Sequence, residues 1–494
     1  MTDKEPPKEL EDTTESKQEP PYSIFDSKDR LVLIVVLSSI GVWSAIANPI
    51  YYPALPTLTQ QFHTTPSVIN LSVVAYLIFQ GIAPIFSSNL ADTFGRRPVL
   101  LASVLIFCAS CIGLSQTNVY WLLAVLRCVQ AASIAPLISI GSGVCRDVCT
   151  SATLGGMVGA VGGLQLAGNG IGKLLGAALI SGFHTWRSIF VFLAIGGGVT
   201  FVIGVLFLPE TSRRIVGNGS VAAKNVLHKS AFTYLPRFKK RMTNDTSTLT
   251  APAKFDVLGP FRIFFQVNVL CTLLPVGMHF AAWTVTLTSL STELESDKYN
   301  YSVMHVGLIY LPQGIACFLG SVFVGKTLNW YYRYRKSLYD EQVEEMPIDD
   351  RPPFNIVSTR LTLTVIPAVM TIMGLLIFGW CIQYRSHIIS IIISTMMVAF
   401  AASVFISICT TLLVDLYPDN ASASSSCLNL MRGLLGALFA GVLDTMIGSL
   451  GLGGTYTLIA GLCLICDLFL AYVLYSANRK FKNYQQSPKD ELTE

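Results

Sequence analysis

Between Leu31 and Tyr475 the chain is a succession of apolar runs, each long enough to cross a bilayer and each ended by a short polar connection. Such a pattern leaves few folds, because a backbone in lipid must satisfy its own amides and carbonyls. A sheet-rich soluble protein would alternate apolar and polar residues, and these runs do not. A water-soluble domain of 494 residues would not tolerate 52% hydrophobic and only 13% charged residues. The class read from these features is an all-α polytopic membrane protein.

Twelve spans are expected, at about 31–54, 68–87, 98–115, 119–143, 153–180, 187–208, 264–290, 303–326, 360–382, 388–414, 423–447 and 455–476. They fall into a six-helix bundle over 29–208 and a second over 263–476, joined by a polar, basic central loop at 209–262. The segment 1–28, rich in Glu, Lys, Pro and Thr, reads as a disordered tail without a cleavable leader, and 477–494 as a second tail. The first apolar run would then act as the targeting signal. Lysines and arginines crowd the even-to-odd connections (Arg96, Arg97, Arg146, the central loop, Arg333, Arg335, Lys336, Arg351), whereas the odd-to-even ones hold only Lys298 and Arg385. By the positive-inside rule both termini and the central loop face the cytoplasm. The sequons at Asn218 and Asn244 would lie inside and stay unmodified; that at Asn300 falls in an outward loop.

Other function classes are poorly served. A net charge of +4, unclustered, gives no nucleic-acid surface. The twelve cysteines fall almost entirely within apolar runs, where cysteine is a small hydrophobe, so Cys463 and Cys466 are not read as a metal or redox pair. No metal site, cofactor or disulfide framework is expected, no cluster has catalytic spacing, and no phosphate-binding loop links the chain to ATP.

Between the second and third runs stands Leu90-Ala91-Asp92-x-x-Gly95-Arg96-Arg97. This spacing resembles the loop between helices two and three of the major facilitator superfamily, with Ser88 where a glycine is usual. The resemblance implies the major facilitator fold, twelve helices in two pseudo-symmetric halves with a substrate site near the midplane. It also implies a cytoplasmic charge latch made of Asp92, Gly95, Arg96 and Arg97. Asp147, and with it Arg146, is expected to join that latch. The second half, lacking a clear Asp-x-x-Gly-Arg string, is expected to carry a worn copy at best.

Arg127 lies midway along the fourth span, where a guanidinium is costly unless it serves a cavity or a partner. Arg127-x-x-Gln130 resembles a second motif of the same family, which implies a link to proton coupling; a clamp on backbone carbonyls is the alternative. Glycines fill the fifth span, and Gly168, Gly172 and Gly176 sit at helical spacing suited to close packing. Gly168-Asn169-Gly170-Ile171-Gly172-Lys173 resembles the antiporter motif of drug:proton exporters, with Lys173 in place of proline. Lys173 is expected to bind a substrate carboxylate, to exchange a proton, or to form a fixed pair with Asp444 or Asp467.

Asn48, Tyr52, Gln80, His279, Trp283 and Gln313, together with Tyr51, Tyr76 and Phe79, are candidates to line a cavity for an aromatic solute. Pro209-Glu210-Thr211, and the region from Asp415 to Arg432, resemble matching parts of fungal twelve-span drug:proton antiporters, closest to the quinidine-resistance and dityrosine-transporter group. Asp415 and Arg432 would be the cytoplasmic-end charge pair of the second half, or merely solvated helix ends. The function implied is secondary active export of a small organic molecule in exchange for protons, by a monomer in the plasma membrane. A facilitator or importer, and a non-transporting sensor, are the alternatives.

Overall fold

The computed structural model describes residues 21–243, 245–250, 258–295, 299, 301–344 and 351–486. Long helices dominate, as a chain without water for its backbone requires. They are labelled α1 (Ser27–Ile46), α2 (Pro66–Phe94), α3 (Arg96–Gln116), α4 (Tyr120–Val148), α5 (Ser151–Phe183) and α6 (Arg187–Phe207) in the first half. The second half contributes α7 (Val267–Glu295), α8 (Leu311–Val343), α9 (Val365–Gln383) and α10 (Ile388–Leu416).

Among the described residues eleven segments are long and apolar enough to cross a membrane, and the last, Ala421–Arg479, has 59 residues. Straight, it would be roughly 90 Å long, about three hydrocarbon thicknesses. It is not straight. Gly451 has φ 71° and ψ 172°, a conformation open essentially to glycine alone, and there the helix reverses. Cys427, Leu428 and Met431 before the break share one apolar cluster with Leu470 and Val473 after it. The limbs are therefore two antiparallel helices, α11 (421–450) and α12 (452–486), and the spans number twelve.

Some limits differ from the sequence expectation. α1 stops at Ile46, and Pro49–Ala54 forms a tighter 3-10 turn containing Pro53. The Tyr51 amide turns back to the Asn48 carbonyl, so the Ala47 carbonyl loses its helical partner at mid-span. α8 runs on to Val343, well past its apolar stretch, with Lys336 and Asp340 paired one turn apart at 3.0 Å. Residues 21–26 are packed rather than loose: Phe25 is buried against Phe238, and Tyr22 donates to the Arg146 carbonyl at 3.1 Å. The central segment lies on the same end of the bundle, with Phe232 and Phe238 buried. Asn218 is buried there, whereas the sequons at Asn244 and Asn300 lie outside the described residues.

α5 holds the two halves in contact. One glycine face, Gly168 and Gly172, lies on α1 and its turn; a methyl added at Gly172 would stand 2.6 Å from Pro49 Cγ, and Gly176 abuts Ile50. Another face lies on α8, where a methyl at Gly163 would meet Ser321 Cβ at 2.8 Å and one at Gly170 the Gly314 Cα at 2.7 Å. In lipid such small-residue seams supply association through van der Waals contact. α2 and α11 meet likewise at Gly81 and Gly433. Gly170→Leu is expected to cost about 1–3 kcal/mol by overpacking. Thermal unfolding in detergent should show a lower midpoint for it, while Gly198→Leu, which faces open space, stays near wild type.

Candidate functional site

A cavity of about 90 Å³ lies between the halves. Asn48 and Tyr52 reach it from the broken end of α1, Gln80 from α2, Lys173 from α5, Trp283 from α7, Tyr310 from the turn before α8 and Arg432 from α11. Lys173 Nζ donates to the Tyr310 hydroxyl at 2.7 Å and the Leu287 carbonyl at 3.4 Å. It also stands 4.2 Å from the Tyr310 ring centre and 5.0 Å from that of Tyr52. Arg432 lies 4.1 Å over the Phe280 ring and donates to Asn429 at 3.1 Å, and its Nε finds no hydrogen-bond partner among the described residues. The described lining includes two cations and no carboxylate.

Two expected lining residues are elsewhere. His279 turns away from the cavity toward α12, where its Nε2 meets Asp467 at 3.0 Å. Gln313 is buried in α8 next to the Gly314 seam, with neither amide atom bonded among the described residues. Asp467 is thus engaged by His279 rather than by Lys173, and Asp444 is exposed.

Arg127 is fully buried, and its guanidinium is held between the rings of Tyr51 and Tyr76, 4.2 and 4.1 Å from their centres. It donates to Gln130 at 2.7 Å and to the Ala47 carbonyl at 3.1 Å, the carbonyl released where α1 unwinds. Its Nε and one terminal nitrogen have no hydrogen-bond partner among the described residues. The break in α1 sends adjacent tyrosines to different cations: Tyr51 to Arg127, Tyr52 to Lys173.

At the end of the bundle that carries the central segment, Arg96 bonds Asp92, reaches Asp147 at 3.1 Å and donates to Ser422 at 2.6 Å. Asp92 also accepts the Ala423 amide at 3.3 Å, placing a carboxylate at the N-terminus of α11, where the helix dipole favours it. Asp92, Arg96 and Asp147 therefore tie the first half to the second. Arg97 does not take part; it caps α6, donating to the carbonyls of Val205 at 2.7 Å, Gly204 at 3.3 Å and Leu208. Gly95, at φ 105°, makes the turn that lets the Arg96 and Arg97 amides meet the Glu210 carboxylate at 2.9 and 3.3 Å. Glu210 also takes the Ser212 amide at 3.0 Å and His228 at 2.8 Å.

The Asp415–Arg432 pair is not formed. Asp415 binds Arg360, at 2.9 and 3.1 Å, with both side chains fully buried. Arg360 continues to the carbonyls of Ser151 at 2.7 Å and Leu328 at 3.1 Å, and Arg146 adds a longer contact to Asp415 at 3.4 Å. Arg146 thus serves this second cluster rather than the one around Asp92. The second half carries a counterpart of the Arg96–Asp147 pair alone, with Ile356 and Thr359 where the first half has Asp92 and Gly95. Arg96 opens α3 and meets Asp147 at the end of α4; Arg360 opens the approach to α9 and meets Asp415 at the end of α10. Arginine at the approach to or start of the third helix and aspartate in the last turn of the fourth, in each half, was a signal in the sequence; a search for the Gly-Arg-Arg string passes over it.

Two outcomes follow. Arg360→Ala leaves the buried Asp415 with only the longer contact from Arg146 and should cost about 3–5 kcal/mol, whereas Arg360→Met with Asp415→Leu should recover much of it, read as melting midpoints in detergent. Burial pushes the Glu210 carboxyl up, but the bonds from His228 and from the Ser212 and Arg96 amides win and hold it below the ordinary value of 4.5. Its folded-state value is the lower one, so its stabilisation is complete above pH 4.5 and drains away as pH falls through the lowered value. Glu210→Gln should show a smaller loss of melting temperature than wild type between about pH 5 and 3.

The sequence profile of the Major Facilitator Superfamily matches residues 31–339. The chain is 69% identical to the MFS antiporter QDR2 of Candida albicans, over 96% of this chain and 94% of that protein. It is 31% identical to citrate exporter 1 of Aspergillus niger, over 91% of this chain and 86% of the relative. Among solved structures, the proton:xylose symporter XylE superposes with a TM-score of 0.65 at 13% identity, covering 91% of this chain and 97% of that one. Two six-helix halves meeting at a cavity, tied at one end by paired buried arginines, are the architecture of a transporter rather than an enzyme. The chain belongs to the Major Facilitator Superfamily.

Proposed function

We propose that this protein exports a small organic molecule carrying a carboxylate, an anion or zwitterion with apolar or aromatic bulk, in exchange for protons. The observation that carries the substrate class is the cavity: Lys173 and Arg432 both line it, Tyr52, Trp283 and Tyr310 supply apolar walls, and its described lining has no carboxylate. A cation there would meet like charge in a poorly solvated space, which is expensive. The names of the antiporter and citrate-exporter relatives support export of an organic solute.

The latched end is assigned to the cytoplasm, consistent with the basic residues gathered there, and the protein to the plasma membrane as a monomer. With that end closed by Arg96 and Arg360, release is outward; opening both clusters lets the halves rock and admits solute from inside. The cavity, about 90 Å³ in this state, enlarges as they part. Arg127 holds its proton at any physiological pH, so its part in coupling is that of a fixed charge that orders the broken segment of α1.

Sealed inside-out vesicles with an acidic lumen test this reading, using labelled citrate, tyrosine and tetraphenylphosphonium. Citrate or tyrosine should accumulate with the gradient and the cation should not. Lys173→Ala and Arg432→Ala should each raise KM for the anion about 10- to 100-fold, the loss of one charge-assisted contact. Uptake indifferent to the gradient sinks the exchange reading, and preferential uptake of tetraphenylphosphonium sinks the charge argument.

A further inference from the structure

The exchange reading needs a group that binds and releases protons near neutral pH, and the cavity offers only an arginine, a lysine and tyrosines, which titrate much higher in water. We infer that the exchanged proton is carried by His279 and Asp467, a buried pair on α7 and α12 outside the cavity. This rests on the exchange reading above. His279 Nε2 stands 3.0 and 3.3 Å from the two carboxylate oxygens of Asp467. Its ring lies flat on Phe405 of α10, with centroids 4.3 Å apart and planes at 19°. Nδ1 of the same ring is buried without a hydrogen-bond partner among the described residues. One nitrogen is thus anchored to a carboxylate and the other is left without a hydrogen-bond partner among the described residues.

Imidazole is the side chain whose ordinary titration falls between pH 5 and 8. With its proton, the pair is an imidazolium against a carboxylate; without it, a neutral ring against a carboxylate, one negative charge more. Among the described residues, the thiols of Cys409 on α10 and of Cys463 and Cys466 on α12 are the other ionisable groups that interact with Asp467. On α11, Arg432 lies over Phe280, the residue after His279.

Space toward the latched end lies near the pair. A second cavity, about 320 Å³, opens between the same three helices, lined by Thr272 of α7, Leu412 of α10 and Val473 of α12. Thr272 is seven residues from His279 and Val473 six from Asp467, so this vestibule ends about two helical turns from the pair. The path to the substrate is α7 itself, which carries His279 into the pair and Phe280 and Trp283 into the central cavity. A proton gained at the pair adds positive charge, and its field alone would favour an anion. Exchange therefore requires proton and solute to prefer opposite positions of α7, with the helix rather than the field as the link.

The test uses the full chain in proteoliposomes with labelled citrate and tyrosine as probes. Two assays are compared: uptake driven by an acidic lumen, and gradient-free counterflow, in which labelled solute exchanges for unlabelled with no net proton movement. His279→Gln keeps a hydrogen-bond donor toward Asp467 and cannot titrate. It should lose at least tenfold in gradient-driven uptake, keep counterflow within about twofold of wild type, and flatten the pH dependence of uptake between pH 5.5 and 7.5. Asp467→Asn, which keeps the shape, should do the same and serves if the glutamine variant fails to fold. Full gradient drive with an unchanged pH profile in either folded variant overturns the assignment while leaving exchange intact. Wild-type uptake that ignores the gradient overturns the exchange reading, and this assignment with it. Equal loss of both assays in a folded variant makes the pair structural and overturns it too.

Discussion

Arg96 and Arg360 each bring a guanidinium out of water at the junction of the two bundles, and the way that cost is met organises the molecule. Each is returned a buried carboxylate from the end of the next helix, Asp147 or Asp415, and each also binds the opposite half, at Ser422 or at the Ser151 carbonyl. The bonds that cross between the halves are separate from each pair, apart from the 3.4 Å contact of Arg146 with Asp415. Asp92 differs, since it also accepts an amide from the opposite half directly, at the start of α11.

The remaining buried cations are partnered differently, and the difference sorts their roles. Arg97 spends its donors on carbonyls at the end of α6 and so fixes helix geometry. Arg127 has rings above and below it and a carbonyl from the unwound α1, which makes it a keystone of the first bundle. Lys173 and Arg432 are held by hydroxyl, amide, carbonyl and ring contacts at the cavity wall. The glycine faces of α5 make this possible, because only a helix without side chains there can touch α1 and α8 and still present Lys173 between them.

Much of this was legible from the residues. Span count, the two blocks of six, the Asp92–Arg96 cluster with Asp147, the cavity positions of Asn48, Tyr52, Gln80, Lys173 and Trp283, and the packing role of Gly168, Gly172 and Gly176 all rest on local patterns. Charges at helix ends, small residues at helical spacing and polar groups in apolar runs are set by the cost of placing them in lipid, which does not depend on which neighbour is opposite.

Partner choice was not legible. Asp415 could be drawn to Arg432 on proximity in sequence, but only the packing of the helices brings Arg360, from the approach to α9, and Arg146, from α4, to it and carries Arg432 to the cavity. His279 was equally suited by type to a cavity wall, and its rotation on α7 decides that it meets Asp467 instead. The chain by itself determined the class, the number of spans and which positions cannot be bland. The tertiary structure decided who pairs with whom, because a helix fixes the spacing of its side chains but not the direction it faces in the bundle.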